Sequence, residues 1–400
     1  MHWRTLRKAF LTTGFGVLAC MNNGLKAQDQ RLIESDNTLL QRVTKNERGI
    51  DWADMNLQFS TAANAAFRNG DFDEASFKIH RIRLEILGAF NEKFSYHFRQ
   101  SFNKYTNPNI PSDNLSGQVE VAQMGWQINP SLKLTAGKQA TQFSGYEYWV
   151  NAIQVREYSD FNNTIPAYRT GANLAYRINP QHELNFQVVN FRTGSLDEQF
   201  MYGVPEGVED SKAALLGTVN WDAKLAEEVW QLRYSLSYGQ LAKKNNIFYF
   251  TCGNVYKKKP FLGYIDVMYS REGLDTRGYI SENTMGQDGK PMTAQDVSYL
   301  TTIANLDCRL SPHWNVYAKG VYEQGNVCKS SENFEAGTYR RSWNIQACAE
   351  YFPMADRELL VYLHFVHRNV HLTELGRKWG AESHNTQRLS LGIVYTLPVF

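Results

Sequence analysis

One stretch decides the fold class: WQLRYSLSY, residues 230–238. Apolar and polar side chains alternate at every position, so that Trp230, Leu232 and Leu236 share one parity while Arg233 and Ser235 share the other. Successive side chains of a β-strand point to opposite faces, so strict alternation predicts a strand with one apolar face and one polar face. A helix would need a repeat of 3.6 residues instead.

The same alternation recurs along most of the chain and makes the protein all-β. Trp314, Val316 and Tyr322 alternate with Asn315 and Lys319 in another such stretch. Sixteen strands are predicted in total, at residues 52–61, 76–90, 94–102, 117–128, 132–138, 169–178, 182–191, 212–221, 229–239, 246–256, 261–270, 297–310, 314–323, 339–352, 358–368 and 385–397.

Loop lengths separate a membrane barrel from a soluble sandwich, because both architectures show alternation. The short connections are 91–93, 129–131, 179–181, 222–228, 257–260, 311–313 and 353–357, and they fall between the long ones at 103–116, 139–168, 192–211, 271–296, 324–338 and 369–384. Short turns at one rim and long loops at the other are typical of bacterial transmembrane barrels with even strand numbers. Residues 51–400 are therefore predicted to form a transmembrane antiparallel β-barrel of about 16 strands, with short periplasmic turns and long external loops.

The N-terminus predicts export. Basic residues within the first eight positions precede an apolar run over 9–19, which is the pattern of a signal peptide and is too short for a membrane-spanning helix. Cleavage after Ala27 is the preferred interpretation, giving a signal peptide over 1–27; lipoprotein processing at Cys20 is the alternative. Residues 28–50 are predicted to be an N-terminal periplasmic segment, either a short helix or disordered.

Charge and cysteine content exclude other classes of function. Loss of residues 1–27 removes four basic residues and leaves 38 against 40 acidic ones, so no basic domain is available for nucleic acid. Four cysteines remain, at spacings that specify neither a disulfide framework nor a metal site. His364 and His367 are three residues apart on a strand and face opposite sides, so no metal site and no cofactor are expected.

Several strings within about 76–200 are typical of one known family of membrane barrels, at 77–85, 94–98, 122–126, 132–139, 156–159 and 168–171. On these strings the chain resembles the phosphate-selective porin O and P family. It departs from the family at Ala140-Thr141-Gln142-Phe143, where the family commonly has a Pro-Phe-Gly element. The last strand, with Ser390, Gly392, Tyr395 and Leu397, also resembles the insertion signal of outer-membrane proteins. The resemblance implies a trimeric porin among the lipids of a Gram-negative outer membrane. It would pass small hydrophilic solutes passively, with phosphate and other anions as candidates.

The candidate site is a constriction rather than a catalytic centre. A loop as long as 139–168 is usually functional, and as the third external loop it is predicted to fold into the lumen, carrying Arg156 and Glu157. The wall residues of lumen parity that we expect to line the channel are Arg81, Arg83, Arg99, Arg169, Arg233, Lys319 and Arg340, and Arg388 shares that parity. Guanidinium groups stay ionised and could pass an anion along the wall. The alternative is that these are ordinary wall charges paired with carboxylates such as Glu85 and Glu323.

Two other classes of function stay open at this point. An outer-membrane hydrolase could assemble Ser, His and Asp from separate strands, although no local catalytic motif is present. A structural or adhesion barrel with a blocked lumen is the other alternative.

Overall fold

The computed structural model describes residues 53–103, 117–192, 194–200, 202–283, 292–354 and 359–399. The signal peptide, the Cys20 alternative and the segment 28–50 lie outside the described residues. Within them the chain forms a closed barrel whose strands are β1 Ala53–Arg68, β2 Asp71–Ala89, β3 Phe94–Ser101, β4 Val119–Asn129, β5 Leu132–Ala140, β6 Tyr168–Asn179, β7 His182–Asn190, β8 Leu215–Leu225, β9 Trp230–Ala242, β10 Asn245–Lys258, β11 Phe261–Leu274, β12 Gln295–Arg309, β13 Trp314–Val327, β14 Gly337–Tyr351, β15 Leu359–Leu372 and β16 His384–Pro398.

Each strand pairs antiparallel with its neighbours in sequence, and β1 pairs with β16 to close the barrel, with Ala62 opposite Gly392. The prediction of a 16-stranded antiparallel barrel is confirmed, and every predicted strand is found. Closure leaves no free sheet edge around the ring, which a strand-built membrane protein requires because lipid offers no hydrogen bonds to backbone groups.

The two faces of the strands follow the alternation in the sequence. Leu236 and Ile345 on the outer face are 52% and 61% exposed, whereas their neighbours Ser237 and Gln346 are buried inside. Aromatic pairs such as Trp314 with Tyr351 and Trp230 with Tyr256, both 4.9 Å between ring centroids, lie near the short-turn rim. Such aromatic belts are typical of the membrane interface. No helix in the described part of the chain is long and apolar enough to cross a membrane.

Two external connections are much shorter than the sequence suggested. β1 and β2 continue to a two-residue turn at Asn69-Gly70, and β9 and β10 continue to Lys243-Lys244. Asn69 and Gly70 have φ values of +53° and +94°, the conformation that Asn-Gly adopts in tight hairpin turns. The ends of these strands escaped detection because small or polar residues such as Ala63 and Ala65 weaken the alternation there.

The helices in the described part of the chain are short and lie in the external loops. They are α1 Tyr146–Trp149, α2 Asp160–Thr164, α3 Leu196–Gln199 and α4 Glu374–Arg377, with 3-10 turns at Ala152–Gln154 and Ser281–Asn283. The four cysteines of the barrel are free thiols.

Candidate functional site

The connection between β5 and β6, residues 141–167, folds into the barrel and is called the inward loop. Its backbone reaches strands on the far wall: the amide of Phe161 donates to Glu323 Oε1 on β13 at 3.1 Å. Because β5 and β6 are adjacent, a loop lying outside the barrel could not make that contact. The inward loop therefore narrows the lumen.

Asp266 on β11 fixes the start of the inward loop. Its two carboxylate oxygens accept the amides of Tyr146 and Glu147, at 2.9 and 2.8 Å. These amides open α1 and have no partner within the helix. Gly145 is required at this point, because a Cβ there would lie 2.4 Å from the carboxylate carbon of Asp266.

Glu147 ties the two halves of the inward loop to the wall. One of its oxygens pairs with Lys319 Nζ on β13 at 2.7 Å. The other accepts the hydroxyl of Ser159 at 2.8 Å and the side-chain amide of Asn162 at 2.7 Å. Glu147 is fully buried, and a buried carboxylate persists only when its oxygens are satisfied in this way.

One side of the inward loop is apolar and packs against the wall from β7 to β13. Phe143 stacks on Tyr249 at 4.7 Å between centroids, and Phe161 meets the same ring edge-on at 6.0 Å. Arg233 covers the ring of Trp149 at 3.7 Å while it donates to the Gln142 carbonyl at 2.9 Å. This sector of the lumen is filled.

The opposite side of the inward loop carries charge and faces β14 to β16. Asp160 pairs with Arg340 at 2.7 Å and with Arg368 at 2.8 Å, and Glu157 pairs with Arg388 at 2.5 Å. Burial alone would raise the pKa of Asp160, but the two guanidinium groups outweigh it and lower that pKa. The side chains of Arg368 and Arg388 remain 24% and 32% exposed, so this side is in contact with water.

A cavity of about 280 Å³ lies between the inward loop and the seam of β1, β2 and β15. Its lining is mainly polar and includes Ser60, Arg81, Arg156, Glu157 and Tyr362. Nη1 of Arg81 is buried and has no hydrogen-bond partner in the described part of the chain. A second cavity, of about 370 Å³, lies on the other side of α2 and includes Lys138, Tyr168 and Arg169.

A buried charge network supports the inward loop from β2 to β4. Arg83 pairs with Glu120 at 3.1 Å, and Arg99 pairs with Glu120 at 3.2 Å and with Glu85 at 3.3 Å. Arg83 also donates to the side chain of Asn151 at 3.4 Å, next to the 3-10 turn of the loop. These guanidinium groups hold protein groups rather than facing open water.

The residues expected from the sequence thus fall into two groups. Arg83, Arg99, Arg233, Lys319 and Arg340 are buried in ion pairs, whereas Arg81, Arg156, Glu157 and Arg169 line the two cavities. Two of the cavity residues are also paired: the buried side chain of Arg156 lies 3.1 Å from Glu350, and Glu157 pairs with Arg388. Arg368 was missed although it is the last residue of the predicted strand 358–368. It shares the parity of His364 and Val366, so the alternation already assigned it to the lumen side.

A closed sixteen-stranded barrel with its third external loop folded into the lumen defines a porin, a passive aqueous channel. The chain belongs to the phosphate-selective porin O and P family, whose family model matches residues 53–397. The fold and the family indicate an outer-membrane location in a Gram-negative bacterium.

Solved structures share the fold at low sequence identity. The outer-membrane channel DcaP of Acinetobacter baumannii is 12% identical with a TM-score of 0.55, over 87% of this chain and 99% of that one. An anion-selective porin from Comamonas acidovorans is 9% identical with a TM-score of 0.54, over 86% and 99%. OmpF of Salmonella typhi is 11% identical with a TM-score of 0.55, over 88% and 100%. No curated protein sequence matches the chain.

Proposed function

We propose that this porin favours small anions, phosphate among them, and that they pass between the inward loop and the wall formed by β14 to β16, β1 and β2. The observation that carries the proposal is the charge on this side. Arg81, Arg368 and Arg388 keep some contact with water there, against Glu157 as the partly exposed carboxylate. Fixed positive charge raises the local concentration of anions and repels cations.

The remaining basic residues have a different role in this proposal. Arg83, Arg99, Arg233, Lys319 and Arg340 anchor the inward loop and the wall, because each is buried beside a carboxylate. An anion passing through would have to displace a buried partner to reach them, at a cost of several kcal/mol. The two interpretations of the wall charges therefore apply to different residues. The buried arginines and Lys319 form the support, whereas Arg368 and Arg388, which pair with Asp160 and Glu157 but remain 24% and 32% exposed, face the solute.

The test replaces Arg368 and Arg388 by Gln in one variant and measures the reversal potential in a KCl gradient. A unit charge about 6 Å from an ion contributes roughly 0.7 kcal/mol in water before screening, so each loss should lower the anion-to-cation permeability ratio about threefold at 0.1 M salt. The shift should shrink at 1 M, where the Debye length is about 3 Å.

Arg271→Gln is the matched control, since this arginine is 53% exposed on β11 and pairs with Asp296 rather than with the inward loop. Its reversal potential should equal that of the wild type. A double variant that assembles and keeps wild-type selectivity at 0.1 M contradicts the proposed path.

We also propose that the barrel acts as a channel without hydrolytic activity. In the described part of the chain, no histidine is hydrogen-bonded to a serine hydroxyl; His97 instead contacts Glu85 at 2.8 Å, and His313 contacts the backbone carbonyl of Phe352. Hydrolysis of ester or peptide substrates by the purified protein, abolished by one Ser or His substitution, would contradict this.

We further propose a homotrimer whose subunits meet at the external part of β2. β2 pairs with β1 up to Asp71, but among the described residues it pairs with β3 only from Arg83 to Ala89. The overhanging part carries Phe77, 91% exposed, and Phe72, 63% exposed. A strand edge with large exposed apolar side chains is suited to contact with another chain.

A further inference from the structure

Arg277 joins the inward loop to a second external loop, the β11–β12 loop over 275–294. Its Nη1 donates to the carbonyl of Phe161 and to the hydroxyl of Thr164, both at 3.2 Å. The guanidinium also covers the ring of Phe161, with its carbon 3.9 Å from the centroid. All of these contacts fall on α2.

The contacts suit the chemistry of a helix end. The carbonyl of Phe161 already accepts the amide of Ile165, the residue after α2, at 3.2 Å, so Arg277 is an additional donor to it. A cation is also favourable beside the C-terminal end of a helix. A guanidinium has five N–H groups in a rigid plane and can serve several acceptors at once. Arg277 can therefore hold the backbone and the side chain of α2 together, which a point charge could not do.

Glu272 aims Arg277 at α2. Its Oε1 pairs with Nε of Arg277 at 2.9 Å and accepts the hydroxyl of Ser270 at 2.7 Å. Its other oxygen accepts the hydroxyl of Thr276 at 2.6 Å and the Thr276 amide at 3.0 Å. Glu272 and Arg277 are both buried, so the orientation of the guanidinium is fixed from the barrel wall.

The described residues of the β11–β12 loop, 275–283 and 292–294, are themselves held firmly. Asp275 accepts the amides of Gly278 and Ser281, both at 2.9 Å, and the hydroxyl of Tyr299 on β12 at 2.7 Å. Thr293 donates to the carbonyl of Gly203 in the β7–β8 loop at 2.6 Å. Arg277 thus extends from a rigid frame above the inward loop.

We propose that Arg277 is a positioning residue that sets the bore of the channel by holding α2 from the external side. α2 begins at Asp160, whose carboxylate pairs with Arg340 and Arg368 on the wall of the proposed path. When Arg277 is lost, α2 is released at its C-terminal end and the inward loop fluctuates. This inference rests on the proposed function, in which the inward loop forms the constriction.

The test compares Arg277→Gln and Arg277→Lys with the wild type in planar bilayers at 1 M KCl. Charge effects are strongly screened at that salt, so single-channel conductance and open-channel noise report the bore. Arg277→Gln should raise both above the wild-type spread. Arg277→Lys should give intermediate noise, since an ammonium can serve Glu272 or α2 but lacks the planar fork that serves both.

Arg271→Gln is again the control, as a neutralised arginine near the same loop with no contact to α2, and it should match the wild type. Heat-modifiable migration in gels confirms that each variant has assembled. If Arg277→Gln does not assemble, Arg277→Lys decides. The inference is overturned if an assembled Arg277→Gln channel shows wild-type conductance and noise. Where Arg277→Gln does not assemble, wild-type conductance and noise in Arg277→Lys overturn it.

The outcome is separable from that of the proposed function. If Arg277→Gln has a normal bore and the Arg368 and Arg388 double variant has altered selectivity, the positioning role of Arg277 is wrong and the proposed anion path stands. If Arg277→Gln has an altered bore and the double variant has unchanged selectivity, the positioning role of Arg277 stands and the proposed anion path is wrong.

Discussion

At the scale of single residues, the inward loop depends on buried charges that the sequence marks only by parity. Lys319 and Glu323 could be assigned to the inside of β13 because alternate residues share a face. Their partners could not be assigned, since Glu147 and the amide of Phe161 lie more than 150 positions away in a segment without periodicity. The same lack of a repeat conceals Arg277.

Replacing Glu147 by Gln should loosen the inward loop. The change leaves Lys319 buried beside a neutral group, and breaking one partner of a buried pair typically costs about 3–5 kcal/mol. We expect a lower temperature for loss of heat-modifiable migration and faster proteolysis within 141–167. Adding Lys319→Met should recover part of the loss, because it removes the unpaired charge.

Glu209→Gln is the control for Glu147→Gln, since Glu209 pairs with Lys243 at the exposed surface. Its stability should match the wild type. Equal stability of Glu147→Gln and the wild type would show that this carboxylate does not hold the loop.

At the scale of elements, strand positions were predictable and strand lengths were not. Alternation on β9 from Trp230 onwards locates the strand, because every second side chain faces lipid and the others face the water-filled lumen. The external ends of the strands extend beyond the membrane, where no lipid requires apolar side chains on the outer face. β1 and β2 therefore run on to Asn69-Gly70 without a continuous alternating signal.

The outward face of β9 gives a direct test of this assignment. Leu236 lies in the middle of the strand, paired with Phe250 and Val219, and is 52% exposed. Leu236→Arg should cost roughly 2–4 kcal/mol if it lies near the midplane, and should lower the assembled fraction in outer membranes or detergent refolding. Leu236→Met is the matched apolar change and should assemble normally. Equal assembly of the Arg and Met variants would place this face away from lipid.

At the scale of the whole molecule, the lumen is divided into a filled side and a charged side. The apolar cluster that includes Phe143, Tyr249 and Met268 closes the sector from β7 to β13. The lumen arginines that remain in contact with water, Arg81, Arg368 and Arg388, lie on the charged side. The length of 139–168 predicted a loop that enters the barrel, but which wall it would fill depends on contacts between distant strands and could not be predicted from spacing.

The oligomer proposed above should depend on the overhanging part of β2. Phe77→Ser removes its most exposed apolar side chain, and we expect a shift from trimer to monomer in mild-detergent sedimentation or in gels of unheated samples. Phe248→Ser is the control, an outward phenylalanine near the external end of β10 that is 37% exposed. Trimers of normal stability in Phe77→Ser would assign this residue to lipid contact instead.

Closure of the barrel between β1 and β16 has a consequence for the assembly of the channel. Arg81 lies on the second strand, whereas Arg368 and Arg388 lie on the last two, so the charged path combines the two ends of the barrel domain. These groups become neighbours only once Ala62 has paired with Gly392 and the ring is complete. In a sheet that has not yet closed, the guanidinium groups of Arg368 and Arg388 would be present without Arg81 beside them. In the proposed path, the set of charges that faces the solute is therefore complete only when β1 and β16 have paired and the ring has closed.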